Sequence, residues 1–395
     1  MKKKENSSDF KIVVSTTPGF EDLLAGELMR LGGRQIERHT RSVSCVGDQG
    51  FLYKINLNLR TGLRVLKPIA KTRAASDKEL YENIKKIDWS QYMEKDGTLW
   101  IESTLNSEFF NHTQYVAQVT KDAIVDQFRG DTGIRPNVEK ERADLKINIH
   151  IYRDEVTVSL DASGESLYKR GYRTGTNLAP LSEVLAAGMV MMSGWERHIQ
   201  LIDPMTGSGT IAIEAAMIAN NIPAGYFRED FGFMRWKDYD STLWDLIFEK
   251  SIERITDHQP EIFASDISAN VLKKAKENVK NAKVDDVVQL KCASFFDLAA
   301  TKERGYIIMN PPYGERMEKD DVPALYKEIG DKLKKDFPGY SAWILSSNME
   351  ALKKIGLHHT RRVTLFNGAL ECKYMRYDMY PGTKKIHKLD KSEEG

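Results

Sequence analysis

The sequence predicts an α+β region over about the first 160 residues, followed by an α/β region with a mainly parallel sheet. Three observations support this prediction. Before residue 160, short apolar strands mix with amphipathic helices in no regular order. From Leu181 onward, strands and helices alternate, which is typical of βαβ units. Between the two regions, Asp161 to Pro180 is rich in Gly, Ser and Thr, which indicates a connection.

The length of the chain limits the number of domains, and its charge limits the kind of nucleic-acid binding. The chain has 395 residues, and at roughly 150 residues per domain it holds two or three domains. Lys and Arg total 58 against 57 Asp and Glu, a net charge of +1. This balance argues against a uniformly basic nucleic-acid binder, although a sum leaves room for local basic patches.

The sequence favours a cytosolic protein that neither spans a membrane nor holds a metal. Its most apolar stretch, Leu181 to Trp195, contains Glu183 and two glycines and is too short to cross a bilayer. The polar N-terminus is followed by no apolar signal core. The eight histidines show no metal-ligand spacing, and the three distant cysteines suggest neither a disulfide framework nor a zinc site.

The elements of the first region follow from apolar periodicity and turn residues. A helix with Phe20, Leu24 and Leu28 on one face begins after Pro18-Gly19 and ends at Gly32-Gly33. The other predicted elements are strands at Lys11–Ser15, Ser42–Val46 and Thr98–Ser103, helices at Phe51–Leu59 and His112–Phe128, and a hairpin of Leu145–Ile151 with Glu155–Leu160.

The second region is predicted as a parallel series closed by two antiparallel strands. The parallel strands are Gln200–Ile202, Glu261–Ala264, Val287–Leu290, Tyr306–Met309 and Ser341–Leu345. Helices at Ala269–Ala282 and Val322–Lys335 lie between strands, and the closing pair is Arg362–Phe366 with Lys373–Tyr380.

A glycine-containing loop, Asp203 to Thr210, lies between the first of these strands and a helix at Ile211–Ala219. Glycines allow a tight turn and a close approach to a ligand, although ordinary strand-to-helix turns use them too. The acid Asp203 at the strand end is placed to meet a cationic amino-acid group, which favours S-adenosylmethionine over NAD. The next strand-end acid, Asp266, lies 57 residues beyond Gly209, whereas the dinucleotide pattern has it about 20 residues on. An insertion at about 223–258 offers another explanation of this gap.

Asp266 has two interpretations that the residues leave open. A carboxylate after the second strand suits the two hydroxyls of a ribose. It also suits the N-cap of the following helix, a role that Ser268 can fill as well.

The sharpest signal is Asn310-Pro311-Pro312-Tyr313, directly after an apolar strand. The two prolines fix the backbone and remove two donors, so nearby carbonyls are free to accept hydrogen bonds. An Asn and a Pro carbonyl together can accept both hydrogens of an exocyclic amine, and Tyr313 can stack on a base. This pattern predicts methyl transfer to an amine by positioning, with no catalytic histidine required.

These motifs carry a family resemblance. DPMTGSGTIAIEAA, ASDIS and NPPYGERM, in that order, resemble class I S-adenosylmethionine-dependent amino-methyltransferases. Upstream, KDAIVDQF, RPNVE, the hairpin, SLYKRGYR and APLSEVLAAGMVMMSGW resemble the THUMP-containing RNA methyltransferases, in particular the RlmL-type enzymes that methylate the 2-amino group of a guanine in large-subunit ribosomal RNA. The resemblance covers about residues 10 to 380.

The resemblance implies a domain order and a fold. It places a ferredoxin-like segment at 10–50, a THUMP RNA-binding domain at 51–162, a linker at 163–180, a methyltransferase domain at 181–384 and a loose tail at 385–395. The methyltransferase domain is expected to be Rossmann-like, with a mixed seven-stranded sheet.

The resemblance also implies site residues. Asn310, Pro311, Pro312 and Tyr313 would hold the target amine and its base. Ser294 or Asp297 would contact the adenine, because the position after the third strand lacks the usual acid. The remaining expected cofactor contacts are Asp203, Met205, Gly207, Ser208, Gly209, Thr210, Asp266 and Ile267. The candidate RNA phosphate contacts are Lys121, Arg129, Arg135, Lys169, Arg170 and Arg173.

The leading hypothesis is therefore guanine-N2 methylation of large-subunit ribosomal RNA. The same motif serves tRNA guanine-N2 and adenine-N6 methylation of DNA or RNA, so these remain alternatives. A further alternative is a non-catalytic RNA-binding or assembly factor with a vestigial cofactor site, which the intact motifs disfavour. The oligomeric state is not predicted.

Overall fold

The computed structural model describes residues 9–173, 181–312 and 321–380. They fall into two compact units that interleave along the chain. Unit 1 comprises the residues up to Thr16, Leu24–Lys169 and Arg228–Glu253. Unit 2 comprises Thr17–Leu23, Arg170–Phe227 and the residues from Arg254 onward.

The first part of the chain, up to Asp161, carries eight strands and four helices. They are β1 (Phe10–Thr16), α1 (Glu21–Leu31), β2 (Arg34–His39), β3 (Ser42–Gly47), α2 (Gln49–Asn58), β4 (Gly62–Arg73), α3 (Asp77–Lys85), β5 (Thr98–Asn106), α4 (Thr113–Thr132), β6 (Asn137–Val138), β7 (Leu145–Tyr152) and β8 (Glu155–Asp161). The strands form one sheet in the order β2-β3-β1-β4-β8-β7-β5-β6.

The predicted hairpin is confirmed. β7 and β8 pair antiparallel, with Ile147 opposite Leu160 and Ile149 opposite Val158. Both members of each pair are buried. The strict alternation of the sequence therefore places one face of both strands against the core.

Three strands in this region were not predicted: β2, β4 and the two-residue β6. β2 is exposed along its length, so it lacks an apolar pattern. β4 is twelve residues long, but its apolar residues are interrupted by several cations and by Pro68. The pairing of β4 with β8 shifts register between Pro68 and Ala70, as expected where a proline cannot donate to the ladder.

The segment Arg228–Glu253 belongs to unit 1 although it lies within the α/β part of the sequence. It carries α7 (Ser241–Ile252), whose N-cap Asp240 accepts a hydrogen bond from the Leu243 amide. The Phe233 ring stacks on Tyr53 of α2 with centroids 4.3 Å apart. The predicted insertion therefore adds to the core of the first unit.

The α/β part carries seven strands and five helices besides α7. They are α5 (Glu183–Ser193), β9 (Leu201–Asp203), α6 (Thr210–Ala219), β10 (Ile262–Asp266), α8 (Ala269–Asn281), β11 (Val288–Cys292), β12 (Gly305–Met309), α9 (Asp321–Asp336), β13 (Tyr340–Ser346), α10 (Met349–Lys354), β14 (His359–Asn367) and β15 (Leu370–Asp378).

The sheet of unit 2 is seven-stranded and mixed, as predicted, in the order β11-β10-β9-β12-β13-β15-β14. The first five strands pair parallel to one another, and β15 pairs antiparallel with both β13 and β14, so β15 alone runs against the other six strands. From β9 the chain builds outward to β10 and β11, and then returns to β12 on the other side. The point between β9 and β12 is therefore the topological switch point, where open α/β sheets bind ligands.

Residues 17–23 contribute to unit 2, where the buried Phe20 ring covers Gly188 of α5. A Cβ atom on Gly188 would lie 2.2 Å from Phe20 Cζ. A glycine is therefore needed on α5 at this point.

In the described part of the chain, no helix is long and apolar enough to cross a membrane.

Candidate active site at the switch point

Three polar residues lie at the carboxyl ends of adjacent parallel strands in unit 2. Asp203 ends β9, Asp266 ends β10, and Asn310 directly follows β12. Both neighbours pair with β9: Phe263 lies opposite Ile202, and so does Ile307. We call this part of the sheet, with the loop 204–209, the donor edge. It coincides with the switch point of the sheet.

The loop after β9 has the backbone that its glycines predict. Gly207 has φ +56° and Gly209 has φ +85°, both in the left-handed region that glycine favours. A Cβ atom on Gly207 would meet nothing within 4 Å. The space beside Gly207 is therefore open, as a ligand would require.

Neighbouring elements hold this loop in place. The Gly207 amide donates to Asp266 Oδ2 at 3.0 Å, and the Thr206 amide donates to the Ser265 carbonyl at 2.9 Å. The Asn278 side chain of α8 donates to the Ser208 carbonyl at 3.0 Å. The loop is thus fixed from two sides before any ligand is bound.

Asp203 is fully buried and only partly satisfied. Its Oδ2 accepts a hydrogen bond from the Thr206 hydroxyl at 2.6 Å. Its Oδ1 meets no donor in hydrogen-bonding geometry among the described residues. Burial raises the pKa of Asp203 to about 7, and the nearby charge of Asp266 adds to the rise, while the Thr206 hydrogen bond opposes it. A buried carboxylate with a free oxygen suits a cationic ligand.

Asp266 accepts hydrogen bonds from two backbone amides and is followed by an exposed apolar residue. Its Oδ1 accepts a hydrogen bond from the Ser268 amide at 3.0 Å, so each of its oxygens holds one backbone amide. Ser268 is the N-cap of α8, so the alternative that Asp266 caps this helix is wrong. The next residue, Ile267, is 76% exposed.

Asn310 carries the second unsatisfied group. Its Oδ1 is buried and accepts no hydrogen bond within the described ranges. Pro311 beside it is buried and Pro312 half-buried. A free carboxamide oxygen at a proline-fixed strand end suits the N–H of an amine. Tyr313, also predicted for this site, lies outside the described residues.

The other predicted cofactor residues surround the same loop. Met205 packs against the unit 2 core, and Ser208 and Thr210 are buried. Beyond β11, the Ser294 hydroxyl accepts a hydrogen bond from the Phe296 amide at 3.2 Å. Asp297 is exposed. Of the two adenine candidates, Asp297 therefore has its side chain more available.

The six predicted RNA contacts divide into two groups. Lys121, Arg129, Arg135 and Lys169 are exposed or half-exposed in unit 1. Three of these four form surface ion pairs: Lys121 with Asp122, Arg129 with Asp126, and Lys169 with Glu165.

Arg170 and Arg173 lie elsewhere. Arg170 is 1% exposed, and its Nε lies 3.5 Å from Glu214 Oε1. Arg173 is paired with Glu183 at 2.9 Å, and both side chains are largely buried in unit 2. We therefore withdraw Arg170 and Arg173 as RNA phosphate contacts, because their side chains are only 1% and 14% exposed. Sequence reasoning missed these pairings because their partners lie 10 to 44 residues away.

A mixed sheet of this order, with a glycine loop fixed at its switch point, is typical of α/β domains that bind a ligand at this point. Comparison with known proteins defines the family. Residues 170–376 match the family profile described as "RMKL-like, methyltransferase domain", residues 74–161 match the THUMP domain, and residues 11–66 match the RlmL ferredoxin-like domain. The chain belongs to the RMKL-like methyltransferases.

Individual relatives agree with this assignment. The Synechocystis protein named "Putative RNA methyltransferase slr0064" is 37% identical, over 92% of this chain and 95% of its own length. The ribosomal RNA large subunit methyltransferase K/L of Syntrophotalea carbinolica is 36% identical over 93% of this chain. The chain spans about half of that relative, 53% of its length.

A solved structure matches nearly the whole chain. The crystal structure of SMU.472, which is complexed with SAH, covers 96% of this chain with a TM-score of 0.85 at 28% identity. The predicted fold class, an α+β ferredoxin-like and THUMP region ahead of a Rossmann-like methyltransferase domain, is confirmed.

Proposed function

We propose that this protein transfers a methyl group from S-adenosylmethionine to the exocyclic 2-amino group of a guanine in large-subunit ribosomal RNA, in the cytosol. The observation that carries the proposal is the free, buried Oδ1 of Asn310 at the switch point, beside a glycine loop with its own free carboxylate oxygen on Asp203. The two acceptors give one place for an amine substrate and another for a cationic donor.

S-adenosylmethionine is the methyl donor, as the sequence predicts. The donor edge fits it on three counts. Asp203 offers a free anionic oxygen for the ammonium group, Gly207 leaves open space beside the loop, and Ile267 offers an exposed apolar surface for the adenine. When bound, this donor supplies a methyl group on a positively charged sulfur.

The chain's own residues position the acceptor. Asn310 Oδ1 accepts one N–H of the target amine, and the Pro311 carbonyl accepts the other, which turns the nitrogen lone pair toward the methyl group. The bound cofactor would supply the methyl group and keep the electron pair of its C–S bond on sulfur, and the methylated amine would lose its surplus proton to solvent. No residue of the site has to act as a strong base, because the alkylated amine is acidic.

RNA as the substrate is supported by the THUMP match in unit 1 and by the names of the relatives. The exposed cations Lys121, Arg129, Arg135 and Lys169 supply phosphate contacts in this proposal. The choice of guanine and of the large-subunit RNA rests on the RlmL-type resemblance and on relatives that carry the large-subunit name.

The test is methyl transfer from labelled S-adenosylmethionine to protein-free ribosomal RNA and tRNA from cells lacking the gene, followed by nucleoside analysis. The proposal predicts label as N2-methylguanosine in large-subunit RNA. Label in tRNA, or as N6-methyladenosine, would overturn the substrate and keep the reaction class. No label in these RNAs or in ribosomal precursor particles, from a protein that binds the cofactor, would favour a non-catalytic factor.

A further inference from the structure

Arg173 makes an unusual set of contacts inside unit 2. Its Nε donates to Glu183 Oε1 at 2.9 Å, and its Nη2 donates to the Leu181 carbonyl at 3.2 Å and to the Thr210 hydroxyl at 3.0 Å. Thr210 is the first residue of α6, directly after the glycine loop. The guanidinium is therefore fixed at the N-terminus of the helix that the loop opens.

One nitrogen of this guanidinium is left over. Arg173 Nη1 is buried, and it has no hydrogen-bond partner in the part of the chain that the structure describes. Guanidinium N–H groups are strong donors, and leaving one buried without an acceptor is costly. An anionic acceptor is the group that this position lacks.

The helix beside it lacks a cap as well. The N-cap of α6 is Gly209, which has no side chain to accept from the first amides of the helix. These amides and the helix dipole attract negative charge. On the same loop, fully buried Asp203 offers a free anionic oxygen. The loop therefore presents a place for a cation and a place for an anion, which together suit the ammonium and carboxylate of an amino acid.

We infer that Arg173 binds the carboxylate of the donor's methionine moiety, and that Glu183 is a positioning residue that orients the Arg173 guanidinium. The inference rests on the proposed use of S-adenosylmethionine, and it names the residue that binds the carboxylate of this donor. Glu183 is well suited to its role, because its side chain is 6% exposed and its bond to Nε leaves Nη1 without a partner among the described residues.

If Arg173 had only a structural role, its loss would weaken the binding of every ligand equally. Three ligands that differ in their charged groups distinguish this role from binding of the carboxylate. S-adenosylhomocysteine has both the ammonium and the carboxylate. Its decarboxylated analogue keeps the ammonium alone, and 5′-methylthioadenosine lacks both. Calorimetric affinities for the three ligands therefore isolate the carboxylate from the rest of the molecule.

Wild-type protein should bind S-adenosylhomocysteine at least about tenfold more tightly than the decarboxylated analogue, as expected for a charge-assisted hydrogen bond. Arg173→Met should abolish this preference while changing the affinity for methylthioadenosine less than about twofold. Arg173→Lys should restore part of the preference, because it keeps the charge without the fork geometry. Glu183→Gln should reduce the preference less than Arg173→Met does.

The matched control is Arg304→Met, the same substitution at an exposed residue just before β12, at the opposite edge of the same sheet. It should keep the wild-type preference. A thermal unfolding scan of each variant shows whether it is folded. If Arg173→Met does not fold, the preference of wild type and its reduction in Arg173→Lys decide the question.

Three results would overturn the inference. They are a wild type without preference for the carboxylate, a folded Arg173→Met that keeps the preference, and an equal loss for all three ligands, which would mark a structural residue. A wild type that binds none of the ligands would instead overturn the proposed function itself.

Discussion

Two buried carboxylates, one in each unit, have opposite surroundings. In unit 1, Glu27 Oε1 accepts from the Arg60 amide at 2.8 Å, and Oε2 accepts from the Thr61 amide at 2.9 Å and from the Thr61 hydroxyl. In unit 2, Asp203 Oδ2 accepts from the Thr206 hydroxyl, and the backbone amides of Met205 and Ala212 also lower the pKa of this carboxyl. Its Oδ1 has no donor in hydrogen-bonding geometry among the described residues. Both oxygens of Glu27 accept hydrogen bonds within the protein, whereas one oxygen of Asp203 remains to accept one from a ligand in our proposal.

The buried side-chain oxygens of two asparagines repeat the contrast. In unit 1, the Asn56 Nδ2 donates to the Leu52 carbonyl at 2.9 Å and its Oδ1 accepts from Ser163 at 2.7 Å. In unit 2, Asn310 Oδ1 accepts nothing in the described structure. Other buried atoms without a partner occur in unit 1, such as the Thr120 hydroxyl. What distinguishes Asp203 and Asn310 is their place at the switch point, where open α/β sheets bind ligands.

The largest expected effect on methyl transfer comes from substituting Asn310. Asn310→Ala should lower methyl transfer by about 10²- to 10³-fold, because it removes an acceptor that orients the amine. The affinity for S-adenosylhomocysteine should stay within about twofold of wild type, since Asn310 is assigned to the substrate. Turnover measured with saturating donor, beside calorimetry, checks both parts.

Asn56→Ala is the matched substitution in unit 1. It should lower the unfolding temperature, while turnover per folded molecule stays near wild type. If Asn310→Ala behaves like Asn56→Ala, the two asparagines do not differ in role and the assignment fails.

Asp203→Asn should weaken S-adenosylhomocysteine binding by about tenfold or more, because it removes the charge that meets the ammonium. The same substitution should stabilise the ligand-free protein at pH 8 by about 1 kcal/mol, since a buried charge without full compensation is lost. At pH 5 Asp203 is already protonated, so this gain should disappear. Thermal unfolding at both pH values, with calorimetry at pH 8, provides the measurements.

Glu27→Gln makes the same chemical change in unit 1 and should have the opposite effect on stability. It replaces an acceptor of three hydrogen bonds, so we expect a loss of about 2 kcal/mol in the free energy of unfolding. Donor affinity should not change. If Glu27→Gln and Asp203→Asn change the free energy of unfolding at pH 8 in the same direction, the contrast between the two carboxylates is contradicted.

The pH dependence of donor binding follows from the pKa of Asp203, about 7. The charged form binds the ammonium, so below pH 7 binding has to displace a proton, and the affinity should fall by up to about tenfold per pH unit. Above pH 7 it should level off. Without ligand, the folded protein holds a proton between about pH 4 and 7 that the unfolded chain releases, so stability should fall as pH rises through this window. A flat affinity profile from pH 5 to 8 would speak against the role of Asp203.

The smallest effect is expected in unit 1. Arg129→Ala should weaken RNA binding only about two- to threefold and lower the salt dependence by about one ion, as for one phosphate contact. Donor affinity should remain that of wild type. Filter binding at several salt concentrations tests this, and an unchanged salt slope would remove Arg129 from the RNA surface.

Local signals explain what could be predicted from the sequence. The strand ends of the donor edge are marked by apolar runs that stop at Asp203, Asp266 and Asn310. Each signal lies within a few residues, so the sequence alone predicts the loop and its glycines, whereas the amine site stays a prediction.

Long-range pairing explains what could not be predicted. The contacts of Arg173 with Glu183 and Thr210, and the packing of Phe20 over Gly188, join residues with no shared local pattern. The role of Arg228–Glu253 in unit 1 depends on which core its aromatic residues meet. Because residues 17–23 belong to unit 2, removing the N-terminal region would also remove part of the methyltransferase unit.

The contact between the Asp203 carboxylate and the ammonium group of the donor can be tested through the proton that the carboxyl loses on binding. Calorimetry of S-adenosylhomocysteine binding at pH 7, in two buffers with different ionisation enthalpies, measures the protons released. With a pKa of about 7, wild type should release about half a proton per ligand, and Asp203→Asn should release none. Equal proton release by the two proteins, or none by wild type at a pH where it binds, would contradict the account.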